Sequence, residues 1–166
     1  MQATETADRL KWIFRTIWIV ALLLLGSFLT SLFVSSGPDS WYAGLDKVPW
    51  TPPSWVFSPV WISLYILMGI SFSLQWRQGF ETPLKRAALW AFVIQLILNF
   101  SYTPVQFGLQ WLFGQAVVIL LLLGSLILWF RLLLRIHWFA GIMQLPYLIW
   151  VAYASTVAVG FWWLNS

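Results

Sequence analysis

Cysteine is absent from the 166 residues, so the chain can form neither a disulfide nor a thiolate-held zinc or iron–sulfur centre. Charge is nearly as scarce, with 9 Lys and Arg, 5 Asp and Glu and 1 His. Soluble domains carry about 25% charged residues; here the share is 8%. The acidic residues Glu5, Asp8, Asp39, Asp46 and Glu81 all stand outside the apolar runs, so intramembrane proton relays and acid–base catalysis lack their usual groups. His137 has no second ligand beside it, and no metal site or haem-iron ligation is expected. The basic residues lie singly or in pairs between apolar runs, which does not build the continuous patch that nucleic acid requires.

What the chain has instead is apolar bulk, 61% of all residues. A single small core cannot bury so much, so the solvent for the excess must be lipid. Five nearly charge-free runs stand out: Trp12–Val34, Trp55–Trp76, Ala87–Phe107, Gln115–Leu134 and Phe139–Trp163. Each approaches or exceeds the roughly 20 residues that an α-helix needs to cross a bilayer. They do not alternate in polarity as barrel strands do. The expected fold is therefore an all-α membrane protein, a bundle of five transmembrane helices forming one domain over residues 1–166. No repeat divides it. The first run is followed by Ser35, Ser36 and Gly37 in the manner of a signal peptide, but its apolar stretch Thr16–Val34 is too long for one. Among the connections only the first, with Gly37-Pro38-Asp39-Ser40 and Pro52-Pro53, is long enough to do more than connect.

Five spans place eight of the nine basic residues on one face, with Lys47 alone on the other. The positive-inside rule then predicts a cytoplasmic N-terminus, in what we expect to be a bacterial cell membrane.

The 14 tryptophans are the next signal. Most lie at span ends, where indoles collect at membrane interfaces; Trp12, Trp76 and Trp129 are in this group. Trp61 and Trp150 lie too deep for a belt and need partners inside the bundle. Phe57, Trp61, Tyr65 and Met68 share one face of the second span. Gln95, Asn99 and Tyr102 share a face of the third, and Tyr147, Trp150 and Ala154 a face of the fifth. Amides in hydrocarbon must turn inward. The stripes are consistent with interhelical packing and hydrogen-bonded glue, or with the lining of one ring-walled pocket. Pro59, Pro104 and Pro146 fall inside the spans, where each would bend its helix and widen the bundle locally.

The stretch Trp41-Tyr42-x-x-Leu45-x-Lys47-x-Pro49-Trp50-x-Pro52-Pro53-x-Trp55-x-Phe57, followed by Val60-Trp61 and Leu64-Tyr65-x-x-Met68-Gly69, resembles the signature of the TspO/MBR family of tryptophan-rich sensory and translocator proteins. Gln95-Leu96-x-x-Asn99, Thr103-Pro104-Val105 and Pro146-Tyr147-Leu148-Ile149-Trp150 are similar to its third and fifth helices. The resemblance implies a five-helix bundle, often a homodimer, that binds porphyrins such as protoporphyrin IX and benzodiazepine-type ligands in a pocket capped by the first loop. No cofactor is required. The matching pocket positions are Tyr42, Pro52, Trp55, Phe57, Trp61, Tyr65, Gln95, Asn99, Tyr102, Trp150 and Ala154. In some relatives light-dependent porphyrin degradation is implied, with Trp61 and Trp150 at the matching catalytic positions.

The chain departs from the family pattern at four places. Lys47-Val48-Pro49-Trp50 displaces the first-loop proline, Tyr102 stands where many members have tryptophan, and Ala158 where many have asparagine. No basic residue follows Tyr153, so the C-terminal sterol-associated pattern is missing. Three functions fit: a tetrapyrrole-binding sensor, scavenger or carrier; a light-dependent porphyrin-degrading enzyme; or an assembly partner whose aromatic rows pack on another membrane protein.

Overall fold

The computed structural model describes residues 2–35, 37 and 39–166. Ser36 and Pro38 of the first loop lie outside the described residues. The helices are α1 (Gln2–Ser31), α2 (Ser54–Arg77), α3 (Pro83–Thr103), α4 (Leu112–Ile136), α5 (Trp138–Ile142) and α6 (Leu145–Leu164). Five helical segments are long and apolar enough to cross a membrane, with α5 and α6 together forming the fifth. Among the described residues there is no strand.

Two helices begin at side-chain caps. Thr82 caps α3, its hydroxyl accepting the Lys85 N–H at 3.3 Å, and Pro83 occupies the first turn, where a missing N–H costs nothing. His137 caps α5 in the same way, its Nδ1 accepting from the Ala140 N–H at 3.3 Å. The only histidine thus serves the backbone.

Two elements depart from the sequence expectation. The first helix starts at Gln2, ten residues before the predicted span. The fifth run, expected as one helix, is broken at Met143 and Gln144. Pro146 therefore sits in the first turn of α6 instead of kinking a continuous helix. A break inside a membrane protein needs substitute hydrogen bonds, and Ser71 of α2 supplies one to the Ala140 carbonyl while held by Gln144. Gln144 Nε2 donates to the Leu67 carbonyl at 3.2 Å and to Ser71 Oγ at 2.7 Å, while Ser71 Oγ donates to the Ala140 carbonyl at 2.9 Å. Pro104 does alter its helix: α3 passes into a π-helical turn over Pro104–Gly108.

Helix α1 packs on α2 and α3, α3 on α4, and α4 on α6, while α5 lies against both α2 and α4. Small residues set the closest approach. A Cβ at Gly69 would lie 2.5 Å from Val20 Cγ2 and 3.2 Å from Val20 Cα, so the α1–α2 crossing requires glycine. The outward faces stay apolar, with Phe14, Trp18, Trp90 and Ile97 all at least 60% exposed, as lipid contact demands.

Trp129 was expected at the membrane interface, and the structure places it in the core. It is fully buried, its indole N–H donates to Gln75 Oε1 at 2.9 Å, and its ring lies 5.1 Å from Phe92. Its partners are Gln75 of α2 and Phe92 of α3, which extend the protein interior beyond the depth counted from the end of the apolar run.

Candidate functional site

The site grows from the polar positions that lipid cannot tolerate. Asn99 on α3 accepts the Tyr65 hydroxyl of α2 at 2.5 Å and donates through Nδ2 to the Tyr147 hydroxyl of α6 at 2.7 Å. The Tyr147 hydroxyl in turn donates to Gln95 Oε1 at 3.0 Å, and Gln95 Nε2 reaches Met68 Sδ at 3.5 Å. All five side chains are buried. The one-face spacings on α2, α3 and α6 thus converge on a single hydrogen-bonded centre that ties the three helices together.

Above this centre the rings of α2 and α6 interleave. Trp61 lies 5.7 Å from Tyr65 and 6.2 Å from Tyr147, while Phe57 meets Trp150 edge-on at 5.9 Å. Trp150 continues to Tyr153 at 5.7 Å. These separations are those of favourable aromatic pairs. The two deep tryptophans therefore have the internal partners their depth requires. The Trp150 indole N–H is covered by protein, yet no acceptor reaches it among the described residues. Such a group is an exception to normal satisfaction of buried donors.

The first loop closes over the end of α6. Asn165 bonds the Asp46 backbone at both ends, accepting from its N–H at 2.9 Å and donating to its carbonyl at 3.0 Å. The Trp50 indole donates to Thr156 Oγ1 at 3.2 Å, and the Tyr153 hydroxyl donates to the Trp50 carbonyl at 2.5 Å. Val48 sits over Gly160, where a Cβ would approach Val48 Cγ1 to 2.4 Å. Tyr42 meets Phe107 at a tilt at 5.4 Å and Phe161 edge-on at 5.6 Å, with the Lys47 ammonium 4.9 Å above its ring. Burial raises the Tyr42 phenol above its ordinary pKa. Tyr153 couples the two parts, because it touches both Trp150 and the loop.

The structure thus joins Trp61, Tyr65, Gln95 and Asn99 through Tyr147, and pairs Phe57 with Trp150, which packs on the same core. Tyr102 and Ala154 are half-buried against the same core. Tyr42 belongs to the loop cluster with Val48, Val157 and Phe161. Pro52 is half-buried in the loop, whereas Trp55 is 75% exposed beside it. The ring faces touch one another, and the clefts of about 490 and 690 Å³ lie elsewhere, against α3–α4 and against α4, α6 and Val48–Trp50. Sequence reasoning did not single out Asn165 or Asp46, which meet across 119 positions of chain with no local pattern to betray them. No group of three His, Asp or Glu side chains that could hold a metal occurs among the described residues.

The model of the TspO/MBR family matches residues 11–164. The chain belongs to the TspO/MBR family. The tryptophan-rich protein TspO of Archaeoglobus fulgidus is 36% identical over 148 residues, covering 89% of this chain and 94% of that protein. The human translocator protein is 35% identical over 144 residues, 83% of this chain and 82% of its own. The tryptophan-rich sensory protein of Cereibacter sphaeroides is 33% identical over 118 residues, 71% of this chain and 72% of its own. This TspO/MBR member is an integral multi-pass membrane protein, and its quoted first-loop motif is the segment that forms the lid on α6.

The lid yields a direct expectation. Replacing Asn165 by Ala removes both bonds to Asp46, and trypsin cleavage after the exposed Lys47 should rise about tenfold, the equivalent of a net loss of about 1.4 kcal/mol. An unchanged rate would mean that the Trp50 and Tyr153 contacts hold the loop unaided.

Proposed function

We propose that this protein binds tetrapyrroles and similar flat hydrophobic ligands between α2 and α6 under the first-loop lid, acting as a sensor, scavenger or carrier. The observation that carries the reading is the Trp150 indole N–H, covered and without an acceptor in the middle of an aromatic ladder. A ligand inserted there would meet ring faces from both helices and could accept that donor. A porphyrin offers a wide π-surface for the rings and carboxylates for polar contacts near the lid. The rings now touch each other, so entry requires Phe57 and Trp61 to part from Trp150 and Tyr147, and the lid to lift. The names translocator and sensory protein carried by relatives agree with a binding role. We further propose a bacterial cell membrane with the basic-rich face, and hence the N-terminus, cytoplasmic, and a homodimer as the assembled form.

The test is a titration of detergent-purified protein with protoporphyrin IX, followed by tryptophan fluorescence in the dark and then under light. Saturable quenching is expected, weakened about tenfold in Trp61→Phe or Trp150→Phe, since one lost ring contact is worth about 0.5–1.5 kcal/mol. A new pigment formed only in light, and lost in both variants, would promote the degrading-enzyme reading. Non-saturable quenching, identical in the variants, would mean that porphyrin partitions into the micelle.

A further inference from the structure

At the opposite end of the bundle from the lid, α1 and α2 cross in a cluster that the ligand site does not use. The Arg15 guanidinium lies 5.4 Å above the Trp76 ring, and the Arg77 guanidinium lies 5.4 Å above the Trp12 ring. Each helix thus supplies one cation and one indole, and each cation rests on the indole of the other helix. Immediately inside, Thr16 Oγ1 and Ser73 Oγ are hydrogen-bonded at 2.6 Å, which fixes the crossing. Phe80 supports Trp76 edge-on at 5.7 Å.

Neither arginine has an anionic partner among the described residues. The ion pairs formed there are Lys11 with Asp8 and Lys85 with Glu81, both on the same face of the protein. Arg15 Nε and Trp12 Nε1 are also covered and lack an acceptor among the described residues. Yet Arg15 is half-buried at the edge of the apolar stretch Thr16–Val34, flanked by Phe14, Ile17 and Trp18, which are 66%, 60% and 62% exposed toward lipid. A half-buried guanidinium at the edge of the hydrocarbon without a counter-ion is costly. Indole faces lower the cost and hold the guanidinium in place, but they leave its N–H donors unfilled.

We infer that the Arg15–Arg77 cluster is a binding site for the phosphate of an anionic phospholipid in the leaflet on the basic-rich side. The geometry suits that ligand in three ways. The phosphate sits at the boundary where apolar residues give way to Arg77 and Gln78. Guanidinium groups present paired donors that match phosphate oxygens. The exposed apolar face of α1 at Phe14, Ile17 and Trp18 offers a track for the acyl chains. Basic clusters between membrane helices recognise anionic head groups by this chemistry.

The test is native mass spectrometry of the full-length protein released from micelles doped with equal phosphatidylglycerol and phosphatidylcholine. Retention of phosphatidylglycerol should exceed that of phosphatidylcholine by about 30-fold, and Arg15→Gln with Arg77→Gln should abolish the preference. Arg77→Gln alone, at the exposed end of α2, should reduce it by about fivefold and serves if the double variant fails to fold. Arg9→Gln with Lys11→Gln should leave it unchanged. Equal loss in that control would overturn the proposal in favour of diffuse surface charge. Displacement of the lipid by millimolar inorganic phosphate would overturn it in favour of a free-anion site.

Discussion

Trp129→Ala should lower the stability of the folded bundle by about 4 kcal/mol, the largest effect expected of any single substitution outside the lid and ligand site. The indole is fully buried, packs on Phe92, and donates its N–H to Gln75 Oε1. Truncation would leave a cavity between α2, α3 and α4 and strand an amide oxygen in a region without water. Trp129→Phe retains most of the volume but not the donor, so its cost should be about 1–2 kcal/mol. Thermal unfolding of the detergent-solubilised variants separates the two contributions. If Trp129→Ala unfolds with the wild type, Trp129 faces lipid and its packing between α2 and α3 is wrong.

The second large effect belongs to Asn99. In Asn99→Leu the Tyr65 hydroxyl loses its acceptor and the Tyr147 hydroxyl loses a donor, while Tyr147 keeps its bond to Gln95. Hydrogen bonds between membrane helices average roughly 0.6 kcal/mol, but stranding a buried hydroxyl costs about 1–3 kcal/mol. The expected loss is about 2 kcal/mol. A double-mutant cycle is the sharper measurement, because Asn99 acts through its partners. Tyr65→Phe should cost clearly less in the Asn99→Leu background than in the wild type. Strict additivity would mean that the two side chains do not share a bond.

The five spans were legible because lipid leaves so few alternatives. A long run without charge can satisfy its backbone only as a helix, and no partner needs to be known. The stripes of Phe57, Trp61 and Tyr65, of Gln95 and Asn99, and of Tyr147 and Trp150 were legible for the same reason, since helical periodicity sets which residues share a face. Which stripe bonds which was not. Tyr147 closes the polar centre by touching both Asn99 and Gln95, a fact that depends on helix order around the bundle.

The misread elements share a cause, which is that depth was counted along single runs. Trp129 lies near the end of an apolar run, but Gln75 of α2 and Phe92 of α3 pack on it. The break at Met143 and Gln144 is hidden in sequence because Gln144 looks like one more polar residue in an apolar stretch; its role emerges only when Ser71 and the Leu67 carbonyl are in reach. Asn165 is hidden for a different reason. A terminal asparagine is unremarkable until a loop 119 residues away lies beside it.

Protein labelled with 5-fluorotryptophan, its fluorine resonances assigned by single Trp→Phe replacements, tests the proposed pocket most directly when protoporphyrin IX is titrated in. The account predicts that the Trp61 and Trp150 resonances shift saturably and together, that Trp50 in the lid follows, and that buried Trp129 stays fixed. Shifts confined to lipid-facing Trp18 and Trp90, growing without saturation while Trp61 and Trp150 remain still, would contradict a ligand site between α2 and α6.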